Sequence, residues 1–424
     1  MDKLLVLGGK PIGSIELVQA AKKRGCYVIV SDYLTIEKSP AKQFADESWD
    51  ISTADIDLLE KRCRESSVNG VLTAVHEFNI NKMIDLCERL KLPCYCSRLT
   101  WKYCEDKSLF KALCQSFSIP VAHKYEIDCL DDSSVSAIQF PIVTKPVDGS
   151  GSRGFSVCRD INELRRGILY AKDYSPSSRV IIEEFIPFDS VIIHYTMCKG
   201  RCYFSGISDK FSVVFPSTGA SVMGLQLFPS RGITHYMAVL DSKVRNMFET
   251  IGFTDGPIWI EAFFDGKERF IFNEMGYRLG GSLTNYPVRF FYQIDQLDQM
   301  ISISLGEDFK SIPIERDTKG IRYCILPVHI HAGLIKKIEG VEMIKSRKDV
   351  YSIVPVHFEG DEIQEWGSAK QVFCYIHIIF ESVSELYESI SQILSQLVAI
   401  DSKGSNLLYT LYDIKALIDV KQGI

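Results

Sequence analysis

The stretch Pro141-Ile-Val-Thr-Lys-Pro-Val-Asp-Gly-Ser-Gly-Ser-Arg-Gly154 decides the reading of this chain. An apolar strand delivers Lys145. Gly149, Gly151 and Gly154, interleaved with Ser150 and Ser152, then form a loop whose backbone N–H groups can come close to phosphate oxygens. The two serines and Arg153 add further donors. The loop is not a P-loop, because GxxxxGK[ST] is missing.

Working outward, the next informative run is Arg179-Val-Ile-Ile-Glu-Glu-Phe-Ile186, an apolar strand ending in two acidic residues. Further on come Gly256-Pro-Ile-Trp-Ile-Glu261 and Phe270-Ile-Phe-Asn-Glu-Met-Gly-Tyr-Arg-Leu-Gly-Gly281. Asp265-Gly266 between them is a hairpin turn signal. Two carboxylates on adjacent strands of a hairpin can converge on one magnesium ion, which takes hard oxygen ligands. Upstream, the strand signals Leu4–Leu7, Tyr27–Val30 and Gly70–Val75 alternate with helical periodicity over Ile15–Arg24, Ile56–Glu65 and Asn79–Leu90. That rhythm predicts a doubly wound parallel sheet with ligand groups at the carboxyl ends of its strands. His76-Glu77 follows the third strand. Helices are predicted over Asp106–Phe117, Ile161–Ala171 and Asp241–Ile251. From about residue 316 a further unit carries strands near Ile321–Pro327 and Cys374–Phe380 and a helix over Val383–Val398.

At 424 residues the chain exceeds a single core and predicts two or three packed units. Hydrophobic residues make up 46% and charged residues 24%, which argues against extensive disorder. A formal net charge of -6 argues against a nucleic-acid-coating or membrane-surface role. The 13 cysteines form no CxxC pair, and no apolar run approaches a bilayer span, so a reducing, cytoplasmic setting is expected. Gly8-Gly9-Lys10-Pro11-Ile12-Gly13 lacks the middle glycine of a dinucleotide fingerprint, which lowers the case for a nicotinamide cofactor.

The order of these features resembles the ATP-grasp superfamily, especially its biotin-carboxylase-like and carbamoyl-phosphate-synthetase-like carboxylate–amine ligases. The shared order is a lysine strand, a phosphate loop, an acidic hinge strand and two carboxylate strands ending in Arg-Leu-Gly-Gly. The resemblance implies an α/β and α+β architecture. Residues 1–97 would be the preceding doubly wound domain, 98–315 the two-lobed ATP-grasp domain, and 316–424 a C-terminal α+β unit like that of L-amino-acid ligases. It places Lys107 and Lys145 on ATP phosphates, together with the loop residues Gly149, Ser150, Gly151 and Ser152. Glu183 would meet the adenine amino group, and the backbone of Glu184, Phe185 and Ile186 the purine edge. Asp189 would meet the ribose, Glu261 and Glu274 would hold Mg2+ (or Mn2+), and Arg278 and Lys210 would face the transferred phosphoryl group. His76, Glu77, Arg289 and Arg322 are candidates for substrate contacts.

The implied activity joins a small-molecule carboxylate to an amine, with amino acids as the leading substrates. It proceeds through an acyl phosphate and releases ADP and phosphate. A homodimer is compatible with it. Gly276 stands where the family usually has an asparagine that helps hold a metal, so one or two ions are both open. Asn273 is adjacent, but strand alternation predicts that it points away from Glu274. Two alternatives remain: a different acceptor, such as bicarbonate or a sugar uronate, or a non-catalytic nucleotide-binding protein.

Overall fold

The computed structural model describes residues 1–126, 138–149, 153–215, 217–218, 221–410 and 413–415. Strands β1 (Lys3–Leu7), β2 (Tyr27–Ser31), β3 (Glu47–Trp49) and β4 (Gly70–Leu72) form a parallel sheet in the order β3-β2-β1-β4. Leu4, Leu5, Val6 and Leu7 are all fully buried, as expected of a parallel strand covered on both faces. Helices α1 (Ser14–Lys23), α2 (Ile56–Ser66) and α3 (Glu77–Leu90) supply the cover. β4 is shorter than the predicted Gly70–Val75 run, and α3 begins at Glu77, close beyond its carboxyl end. The edge strand β3 carries only three residues, too few to show an alternating pattern in the sequence.

Two helices follow. α4 (Arg98–Glu105) opens with a capping box between Ser97 and Thr100. α5 (Lys107–Ser116) opens with Asp106, whose Oδ1 accepts from the N–H groups of Ser108 and Leu109 at 2.8 and 3.0 Å. The predicted Asp106–Phe117 helix is therefore found with its first residue acting as the cap. A small three-stranded sheet comes next: β5 (Ile142–Pro146), β6 (Ser156–Cys158) and β7 (Val180–Glu184), in the order β6-β5-β7. It has its own core of Ile142, Cys158, Leu164 and Ile182.

The large sheet is antiparallel. It contains β8 (Asp189–Cys198), β9 (Arg201–Val214), β10 (Ser221–Phe228), β11 (Gly256–Phe264), β12 (Phe270–Gly276) and β13 (Arg322–Ile330), with further strands at Val372–Phe380 and Val350–Pro355. The order runs β12-β11-β8-β9-β10-β13 and then through those two strands. The sheet thus runs unbroken across the 315/316 boundary, because β13 pairs with β10 and gives that otherwise open edge a partner. One core cluster joins the N-terminal sheet to β8, β9, β11 and β12, and another lies beneath β13 and the helix Val383–Gln396. Among the described residues, no helix is long and apolar enough to cross a membrane.

Candidate active site

Segments far apart in sequence bring charged side chains into the space between the small and large sheets. Lys107, the first residue of α5, donates through Nζ to the Gly149 carbonyl at 2.6 Å and lies 3.5 Å from Glu274 Oε2. Lys145, on β5, donates to Asn273 Oδ1 at 2.8 Å and lies 3.0 Å from Glu183 Oε2. Lys210, on β9, donates to Glu261 Oε1 at 2.7 Å. Glu261 and Glu274 are direct partners in the ladder between β11 and β12, so both carboxylates leave the same face of the sheet. This pair suits one divalent ion, which needs hard oxygen ligands and tolerates few protein carboxylates. Each carboxylate meets a lysine instead of water alone.

The electrostatics follow from this pairing. Burial would raise the Glu261 carboxyl, but the Lys210 ammonium outweighs it and holds the group below the usual range. Burial alone would lower Lys210, and Glu261 reverses the sign. Glu183 is buried and shared by two cations, Lys145 and Lys111, whose attraction overcomes the burial cost and keeps it ionised. Lys111 is lowered to about 7, first by burial and then by its neighbour Lys145. Sequence reading missed Lys111. It lies one helical turn after Lys107 on α5, a spacing that puts both ammonium groups on one face.

Asn273 corrects a prediction. The register shifts between Glu261 and Ala262, leaving Asn273 as an extra residue in β12. A bulge breaks strand alternation and re-aims a side chain, and here it turns Asn273 to Lys145. Arg278, just past β12, donates through Nη2 to Glu77 Oε1 at 2.9 Å and through Nη1 to the Leu279 carbonyl at 2.9 Å. The guanidinium also lies 5.0 Å from the centre of the Trp259 ring. Glu77 therefore joins Arg278 from the first turn of α3, beyond the carboxyl end of β4. His76, at the N-cap of α3, stands exposed beside it, with its pKa lowered by partial desolvation.

Several expected residues lie elsewhere. Asp189 immediately precedes Ser190, which hydrogen-bonds Glu261, so alternation turns Asp189 to the opposite face. There it meets Arg231 at 3.5 Å. Arg322 lies near Asp209, which sits next to Lys210 and so faces away from Glu261. Arg289 pairs with Asp295 at 3.3 Å on the exposed side of its helix. In the hinge, the Glu184 N–H donates to the His123 carbonyl at 3.0 Å and the Phe185 N–H to the Pro141 carbonyl at 3.3 Å. Ile186 is half-buried beyond them. Those two N–H groups are committed within the protein. Ser150, Gly151 and Ser152 lie outside the described residues.

No protein-family model matches the chain. By sequence it is 27% identical over 200 residues to a formate-dependent phosphoribosylglycinamide formyltransferase of Francisella tularensis subsp. tularensis (strain WY96-3418), covering 46% of this chain and 51% of that protein. The chain thus spans about half the length of the curated relatives it matches. By structure it superposes on the biotin carboxylase domain of a Hydrogenobacter thermophilus 2-oxoglutarate carboxylase, solved with MgADP, ADP and bicarbonate. The TM-score is 0.79 at 16% identity, over 99% of this chain and 94% of that one. It also superposes on an L-amino acid ligase from Bacillus licheniformis with a TM-score of 0.73 at 18% identity, over 95% and 99% of the two chains. With the small sheet, the large sheet and the lysine–carboxylate cluster between them, these relationships show that the chain has the ATP-grasp fold.

Proposed function

We propose that the chain is an ATP-dependent ligase that activates a small carboxylate as an acyl phosphate and passes the acyl group to an amine. The observation that carries this reading is the opposed pair Glu261 and Glu274 with Lys107, Lys145 and Lys210 drawn to it from separate elements, and Arg278 just past the same strand. Phosphoryl transfer is catalysed by positioning and charge neutralisation, and this is a set of groups suited to both. Mg2+, when bound at the carboxylates, supplies further neutralisation of phosphate charge.

In the proposed reaction a carboxylate oxygen attacks the γ-phosphorus, and the bond to the β-phosphate oxygen breaks, leaving ADP. The amine nitrogen then attacks the acyl carbon, phosphate departs, and the proton lost by nitrogen goes to phosphate or solvent. Lys107 and Lys145 hold phosphate oxygens, and Arg278 exchanges Glu77 for the transferring group. The hinge after Glu183 takes the nucleobase through backbone groups not already committed to the fold, while Asp189, Arg289 and Arg322 lie away from the Glu261–Glu274 pair.

The sequence relatives use formate by name, which favours a small carboxylate. The expectation of amino-acid substrates finds no support among them, and the likeness to an amino-acid ligase is one of fold. Phosphate release with Mg-ATP, measured against formate, bicarbonate and other small carboxylates with and without a panel of primary amines, tests the reading. Release that needs one carboxylate and one amine together, absent in Glu274→Gln, is the expected result. ATP binding without release under any pair would favour a non-catalytic nucleotide-binding protein.

A further inference from the structure

The ladder that opposes Glu261 to Glu274 opposes Trp259 to Gly276 two positions along, on the same face of the sheet. The indole lies directly against the glycine: a Cβ built at Gly276 would fall 2.5 Å from both Cζ2 and Nε1 of Trp259. With Trp259 in place, no side chain fits at position 276. Arg278 lies over the same ring. Trp259 Nε1 and Arg278 Nε are both buried and have no hydrogen-bond partner among the described residues.

The chemistry of this patch is the reverse of a cation site. A divalent ion requires oxygen lone pairs, whereas the indole and the guanidinium offer only N–H donors. Asn273 Oδ1 and Glu77 Oε1 accept from Lys145 at 2.8 Å and from Arg278 at 2.9 Å, so a second ion would have to displace a cation from each and would still lack a ligand at position 276.

We infer that this chain binds one divalent ion with its nucleotide, at Glu261 and Glu274, because the Trp259 indole fills the place at position 276 from which a further oxygen ligand would have to come. The inference rests on the ligase reading above. Its test is the number of Mn2+ ions held by the full chain saturated with β,γ-methylene-ATP, counted by electron paramagnetic resonance of the unbound ion, with nucleotide stoichiometry measured separately by calorimetry. One Mn2+ per bound nucleotide is expected. Two would overturn the inference and leave the ligase reading standing, whereas no nucleotide binding would overturn both.

Substitutions sharpen the count. The double variant Trp259→Thr/Gly276→Asn restores both room and an oxygen ligand, and its plateau should rise to two. A folded, nucleotide-binding double variant that stays at one would show that the indole is not what excludes the second ion. Gly276→Ala alone should lower the melting temperature or fail to fold. A Gly276→Ala protein as stable as the parent would refute the packing on which the inference depends.

Discussion

Asp209 and Lys210 are neighbours on β9, yet they belong to clusters of opposite character. Asp209 lies on the far face. Its Oδ1 accepts from Ser230 Oγ at 2.6 Å, and its Oδ2 accepts from the Arg231 N–H at 3.2 Å. Those donors belong to the turn after β10 and are fixed by the fold. On the near face, Glu261 is held by Lys210 and the Ser190 hydroxyl, and Glu274 lies 3.5 Å from the Lys107 ammonium. Lysine stems rotate freely, so the near-face carboxylates can exchange an ammonium for a metal or a phosphate without disturbing the backbone. A carboxylate held by the donors of a fixed turn is structural, and one held chiefly by flexible ammonium groups is available for chemistry.

That contrast can be broken most decisively on the near face. Glu274→Gln and Arg278→Ala should each lower phosphate release by at least ~10²-fold, the usual cost of losing one preorganised charge at a phosphoryl-transfer site. Arg289→Ala, an exposed pair with Asp295, should stay within about twofold. Equal losses in all three variants would mean that the near face has no special role.

Glu183 is the next largest effect and reads out as stability. It is the shared anion for Lys111 and Lys145, and all three are largely buried. Glu183→Gln leaves two buried cations facing each other, at a cost of about 3 kcal/mol. Pairing it with Lys111→Met removes one of them and should recover much of the loss. Urea denaturation of the single and double variants gives the coupling energy directly. A coupling near zero would show that Lys111 does not depend on Glu183.

Much of this was legible in the sequence. Lys145, Glu183, Glu261, Glu274 and Arg278 stand at the ends of apolar strands whose order is itself the signature of the fold, and the structure brings them together. What escaped depends on register. Asn273 faces the cleft only because a bulge follows Glu261, and a bulge leaves no mark in an alternating pattern. Trp259 read as one more apolar strand residue until the ladder set it against Gly276. Asp189 turns to Arg231 while its neighbour Ser190 meets Glu261, since one step along a strand changes the face. Lys111 sits in an ordinary amphipathic helix, and nothing local separates a buried lysine from a solvated one.

Lys111 also gives the smallest and most specific effect, a pH dependence of stability. Its ammonium is buried, which disfavours the charged form and lowers its pKa to about 7 in the folded chain. Unfolded, it regains the ordinary lysine value of about 10.4. Between those limits the unfolded state binds a proton that the folded state does not, so this residue makes stability rise as pH climbs from 7 towards 10. Below pH 7 both states are protonated, and its contribution is flat at its least favourable. Other groups oppose the trend: buried thiols such as Cys63, pushed up to about 12, make the folded state bind protons more tightly and lower stability over part of the same range. The informative quantity is therefore the difference between parent and Lys111→Met, taken from urea midpoints at pH 6.5, 8 and 9.5. The parent should gain on the variant at each step upward. A difference that stays constant with pH would mean that Lys111 keeps its proton throughout, held by Glu183 more strongly than burial opposes it.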